Sequence, residues 1–152
     1  MNAIKLLKAD HKEVDRMFKE CETAKTAGKR QIFQQIKAAL EAHAYIEETI
    51  FYPTLQSDGD KNLIKITSEA LQEHVGMKCF LGELAAASPD ASKFEPLLTK
   101  LIEDVRHHVK EEEGEMFPRV EKRFSADDLE MLGERMASEK RRFAASPETI
   151  HA

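Results

Sequence analysis

The side chains able to do chemistry fall at repeated intervals. His43 and Glu47 stand four residues apart, as do His108 and Glu112, and a single histidine, His11 or His74, precedes each pair. On an α-helix, residues four apart differ by roughly 40° and rise about 6 Å, so such an imidazole and carboxylate share one face. There they can converge on a metal ion. Taken singly these features are ordinary. A lone His-x-x-x-Glu serves as a weak helix-surface pair, and a lone histidine on an apolar stripe is usually a satisfied core residue.

A repeat changes that weighing. HAYIEETIFYP (43–53) aligns with HVKEEEGEMFP (108–118), 65 residues further on, matching His, two Glu and Pro. Phe51 pairs with Met116 and Tyr52 with Phe117, while Asp10-His11 corresponds to Glu73-His74, 63 residues on. Each half reads as a helix with one His, a loop, and a helix with His-x-x-x-Glu followed by Pro, which predicts a pseudo-two-fold bundle. The alignment also selects His108 over His107, which is expected on a flank, and leaves His151 to the tail.

Helices must carry these residues. A first helix is expected over about 2–26, with Ile4, Leu7, His11, Val14, Phe18 and Cys21 on one stripe, broken at Thr26-Ala27-Gly28. A second, about 29–52, carries Ile36, Leu40, His43, Glu47 and Ile50 and is expected to stop at Pro53, before a polar linker QSDGD. A third, capped by Asp60 and reaching about 87, places Ile64, Thr67, Leu71, His74, Leu81 and Leu84 inward. A fourth spans about 93–123 with Leu98, Leu101, Val105, His108 and Glu112. Ser125 with Asp128 forms a capping box for a fifth, to about 143. Nothing alternates with period two. The expected class is all-α: an antiparallel up-down-up-down four-helix bundle with an additional short C-terminal helix lying across it or capping one end. Domain limits of 1–144 follow, with 145–152 as a flexible tail.

Composition narrows the rest. At 152 residues, 41% hydrophobic and 34% charged, the chain suits one folded domain. With 23 basic against 28 acidic side chains, net charge −5, nucleic acid is a poor partner. No apolar run suffices to cross a bilayer, and charge comes too early at the start for a signal peptide. Two cysteines, Cys21 and Cys79, make no disulfide framework, so a reducing cytoplasm is expected and both are read as buried small hydrophobes. Phe51, Met77, Met116 and Phe117 would form a dry shell. Lys78 is expected to snorkel to the surface, Tyr52 to pack, and Tyr45 to be exposed. The run Lys110-Glu111-Glu112-Glu113 reads as a solvated face with one inward ligand.

Six ionisable groups, His11, His43, Glu47, His74, His108 and Glu112, would thus meet on faces otherwise lined with Leu, Ile and Val. Without coordination, burying them together is strongly destabilising. They are too many for one tetrahedral zinc and lack the oxygen-rich shell of calcium or magnesium. Two ions fit, each with two His, with Glu47 and Glu112 bridging both and an oxo or hydroxo bridge from solvent. Six-coordinate iron would keep a position for oxygen, peroxide or nitric oxide. Iron is therefore the first choice, with manganese or zinc as substitutes.

The pattern of single His, His-x-x-x-Glu with an apolar-Pro end, single His and His-x-x-x-Glu-Glu resembles the hemerythrin-like (HHE cation-binding) domains over about residues 3–123. That resemblance implies a non-haem di-iron centre ligated by His11, His43, Glu47, His74, His108 and Glu112. Oxygen-carrying hemerythrins place another His four residues after the third-helix His, where this chain has Lys78. The four-His, two-Glu set is more similar to the di-iron domains of bacterial iron-centre repair proteins. The expected function is binding or sensing of iron and of oxygen, peroxide or nitric oxide. The alternatives are a di-iron enzyme for peroxide or nitric oxide detoxification or iron-centre repair, and a metal-free interaction bundle.

Overall fold

The computed structural model describes residues 1–145. The expected tail beyond that, with His151, lies outside the described residues. Helix α1 is Ala3–Thr23, capped by Asn2, whose Oδ1 accepts from the Lys5 N–H at 2.8 Å. Helix α2 starts at Thr26–Ile46, passes through one wide turn, Glu47–Phe51, and continues as Tyr52–Asp58. Helix α3 is Lys61–Ala86, with Asp60 accepting from the Leu63 N–H at 2.9 Å, the expected cap. Helix α4 runs Phe94–Glu111, a wide turn Glu112–Met116, then Phe117–Arg123. Helix α5 is Ala126–Ala145, opened by the expected reciprocal bonds between Ser125 and Asp128 at 3.3 and 3.0 Å.

Two punctuation marks act differently from expectation. Gly28 lies inside α2 and does not break the chain, and no glycine among the described residues has a positive φ. The break falls instead at the extended Ala24 and Lys25. Pro53 does not stop α2. Proline lacks an N–H, and its ring collides with the carbonyl four residues back, here Thr49. The chain relieves this by widening one turn: the Tyr52 N–H bonds to the Glu47 carbonyl, five residues back. Pro118 is met identically, with the Phe117 N–H on the Glu112 carbonyl. Such π turns insert one residue into an α-helix without ending it.

Helices α1 to α4 form an antiparallel ring in the order α1, α2, α3, α4, shown by bonds such as Asp10–His43, Glu48–His74, Glu73–His108 and Arg106–Asp15. Two apolar layers fill it. One contains Leu7, Ile46, Phe51, Leu63, Met116 and Phe117; the other contains Val14, Phe18, Leu40, Met77, Leu81, Leu101 and Val105. The polar residues lie between them. On α3 the inward stripe is Leu63, Thr67, Ala70, His74, Met77, Leu81 and Leu84, while Ile64, expected inside, is 40% exposed. Cys21 is buried as expected, but Cys79 is exposed.

Helix α5 is not a short cap. It packs against both α1 and α2, including the π turn of α2, and buries Leu129, Leu132, Met136 and Phe143. Contact with α1 is closest at Gly133, where a Cβ would lie 2.2 Å from the Met1 carbonyl oxygen and 2.7 Å from the Ala3 nitrogen. Those are backbone atoms that cannot rotate away. Gly133→Ala gains about 1 kcal/mol of helix propensity but incurs overpacking of about 1–3 kcal/mol. The expected net result is a lower urea midpoint. Gly28→Ala, which meets nothing within 4 Å, should raise it. Equal midpoints for the two variants would contradict the close α1–α5 approach.

Candidate metal centre

All six expected donors come together between the apolar layers. His11, His43, Glu47, His74, His108 and Glu112 are buried, none more than 7% exposed. Ligand atoms of His11, His43, Glu47 and Glu112 lie within 4.8 Å of one another, as do those of Glu47, His74 and His108. The two glutamates stand between the histidine pairs. Glu47 Oε1 is 3.4 Å from His43 Nε2 and 3.0 Å from His74 Nε2. Glu112 reaches His11 Nε2 at 3.1 Å through Oε1 and His108 Nε2 at 3.4 Å through Oε2.

The opposite nitrogen of every imidazole is held by a carboxylate from a neighbouring helix. Asp10 of α1 takes His43 of α2 at 2.9 Å, and Glu48 of α2 takes His74 of α3 at 2.7 Å. Glu73 of α3 takes His108 of α4 at 2.7 Å, and Glu113 of α4 takes His11 of α1 at 2.6 Å. The bonds close a ring around the bundle. Since a carboxylate only accepts, each Nδ1–H donates to it, and each Nε2 faces the centre. This is the outer support metal-ligating histidines ordinarily carry. These four carboxylates were missed in the sequence, although each is adjacent to one of the six donors: Asp10, Glu48, Glu73 and Glu113. Glu113 therefore belongs to the centre rather than to a purely solvated face.

Tyr52 was also underestimated. In an ordinary α-helix a residue five after Glu47 would point about 140° away; the π turn brings it back inward. Its hydroxyl donates to Glu112 Oε2 and lies 3.4 Å from His74 Nε2 and 3.3 Å from His108 Nε2. The matching Phe117 stacks on His11 at 5.9 Å, so at this position one half has a phenolic oxygen that the other lacks. Tyr45 is half-buried, donating to Glu139 at 3.2 Å, rather than exposed. Lys78 is 54% exposed, as expected, and bonds Glu48 at 2.7 Å. His107, 68% exposed, pairs with Glu111 on the flank.

Electrostatically the centre is built for positive charge. Burial opposes a charged His43, but Glu47 and Asp10 outweigh it and raise its pKa to about 10. Burial likewise opposes ionisation of Glu47, yet His43 and His74 hold it well below the usual carboxylate range. Burial, with Glu47 and Glu112 nearby, pushes the Tyr52 phenol well above its ordinary value. Even so, His43 Nε2 and both oxygens of Glu47 have no hydrogen bond of acceptable geometry. Glu47 Oε1 is near His74 Nε2, but proximity there is not a formed hydrogen bond. Buried polar atoms left open in this way fit a set of metal donors. A cavity of about 20 Å³, bordered by His11, Leu40, His43, His74, Met77 and His108, adjoins the four imidazoles, with room for one water-sized molecule.

Fold and site together define an antiparallel helical bundle with a histidine–carboxylate cluster capable of binding cations. The hemerythrin HHE cation binding domain family matches residues 2–120, and the chain belongs to that family. A hemerythrin HHE cation binding domain-containing protein from Mycobacterium kansasii superimposes with a TM-score of 0.84 at 22% identity, covering 98% of this chain and 93% of that one. A Nostoc protein named DNA nickase is 31% identical over 134 residues, 86% of this chain but 36% of its own length. The chain thus spans about a third of that relative. No helix among the described residues is long and apolar enough to cross a membrane.

Glu47 is a fully buried carboxylate facing both His43 and His74, at 3.4 and 3.0 Å. Glu47→Ala should destabilise the chelator-treated protein by up to about 3–5 kcal/mol, because the imidazoles lose their buried counter-charge. Urea denaturation measures this. An unchanged midpoint would contradict charge pairing at the centre.

Proposed function

We propose that the protein binds two iron ions and through them binds or senses a small ligand such as oxygen, peroxide or nitric oxide. One position takes His11 and His43, the other His74 and His108, and Glu47 and Glu112 serve both. The observation that carries this reading is the ring of Nδ1 bonds, which turns four Nε2 atoms toward two buried carboxylates. Iron in this set would supply redox change and an available coordination position. The chain's own residues do the rest. The carboxylate ring keeps each imidazole in the ligating tautomer, and Phe51, Met77, Met116 and Phe117 keep the surroundings dry. The small cavity beside the histidines suits a diatomic or similarly small molecule and excludes larger substrates.

Tyr52, donating to Glu112, would steady that carboxylate on the His74–His108 side. The name of the Nostoc relative concerns DNA, but that protein extends well beyond the matched region. Nucleic acid has no place in this reading, given the net charge of −5.

Metal analysis after anaerobic ferrous loading tests the proposal. Two irons per chain are expected, falling to one or none in His43→Ala and Glu47→Ala. Tyr52→Phe should retain both but release iron faster from one position. Fewer than one iron per wild-type chain, or full iron in the His43 and Glu47 variants, would sink the reading.

A further inference from the structure

We infer that α5 is a working part of the metal centre and that Lys140 is a positioning residue for the ligand His43. This rests on the proposed metal-binding reading and goes beyond it, since α5 lies after the residues the family matches.

Asp10 connects the two. Its Oδ2 holds His43 Nδ1 at 2.9 Å, and its Oδ1 accepts from the Lys140 ammonium. With both oxygens engaged, the carboxylate plane is fixed, and through it the direction of His43 Nε2. The bundle's pseudo-symmetry supplies the comparison. Asp10 and Glu73 occupy matching places, yet the Asp10 side chain is 12% exposed under α5 and Glu73 is 34% exposed. Lys78 braces Glu48 in the same manner, but from a side chain 54% exposed, against 37% for Lys140. Solvent screens the Lys78 pair more, and exposed pairs contribute little. The same helix is anchored beside Lys140 by the Tyr45 hydroxyl, which donates to Glu139, and one turn further on by the Tyr45 and Phe143 rings, 4.7 Å apart. Tyr45 is two residues from His43, so α5 contacts the ligand-bearing stretch of α2 directly through Tyr45 and, through Asp10 of α1, indirectly at His43.

The test compares iron-loaded wild type, Lys140→Met, Lys140→Arg and Lys78→Met. Lys140→Met should lose iron to a chelator about tenfold faster, in line with the usual effect of removing a metal ligand's outer support. Loss of the cation should also move the centre's midpoint potential to a more negative value. Lys140→Arg should restore both, Lys78→Met should change them less, and the melting temperature should shift little throughout. A purely structural lysine would leave the potential alone. Iron loss and potential in Lys140→Met equal to wild type, with wild type holding two irons, would overturn this inference while sparing the metal-binding reading. Wild type that holds no iron would overturn both.

Discussion

Four imidazoles and two carboxylates in the middle of an apolar bundle are the constraint on which this structure depends. Isolated, each charged group there would be heavily penalised. The chain resolves the penalty with four bonds that run from helix to helix, each joining a carboxylate to the next helix's imidazole. The ring does two things at once. It ties all four helices in a single antiparallel register, and it places an Nδ1–H of His11, His43, His74 and His108 outward, with Nε2 inward. A slip of one helical step on any helix would break two of the four bonds, since each helix contributes one carboxylate and one imidazole. Packing specificity and site geometry are therefore the same interaction viewed from outside and inside.

The π turns follow from the prolines and complete the layer. Glu47 and Glu112 each precede a proline by six residues, and each begins the widened turn that accommodates it. Widening rotates the next residues so that Tyr52 and Phe117 face the histidines. The internal repeat makes these positions equivalent, and their side chains make them unlike. One half offers a phenolic oxygen, the other a ring face against His11. A second inequality comes from α5, which covers Asp10 and leaves its counterpart Glu73 more open.

Much of this was legible in the sequence because the informative residues obey helical spacing. The single histidines, the two His-x-x-x-Glu pairs, the choice of His108 over His107 and the Ser125–Asp128 box all depend on contacts within one helix or on the internal repeat. What escaped detection depends on contacts between helices. Asp10 on His43 and Glu113 on His11 join residues 33 and 102 apart, so adjacency to a donor marks the carboxylate without naming its partner. Pro53 carries the local signal of a helix stop, yet the repeat makes it equivalent to Pro118, which lies within the expected fourth helix, and both helices continue through their proline. Tyr52 does pack, as the sequence suggests, but its hydroxyl on Glu112 depends on a π turn and a contact 60 residues away that no local spacing signals. Ile64 was put inside and Leu63 left out by a one-residue error in the α3 stripe.

The proposed di-iron centre requires the carboxylate ring to aim four Nε2 atoms at two metal positions. Anomalous diffraction at the iron edge, from crystals of iron-loaded protein, tests it most directly. The account predicts two peaks, one between His11 and His43 and one between His74 and His108, with all four Nδ1 bonds retained. A single peak, or iron held instead by the surface group Glu73, His107 and Glu111, would contradict it.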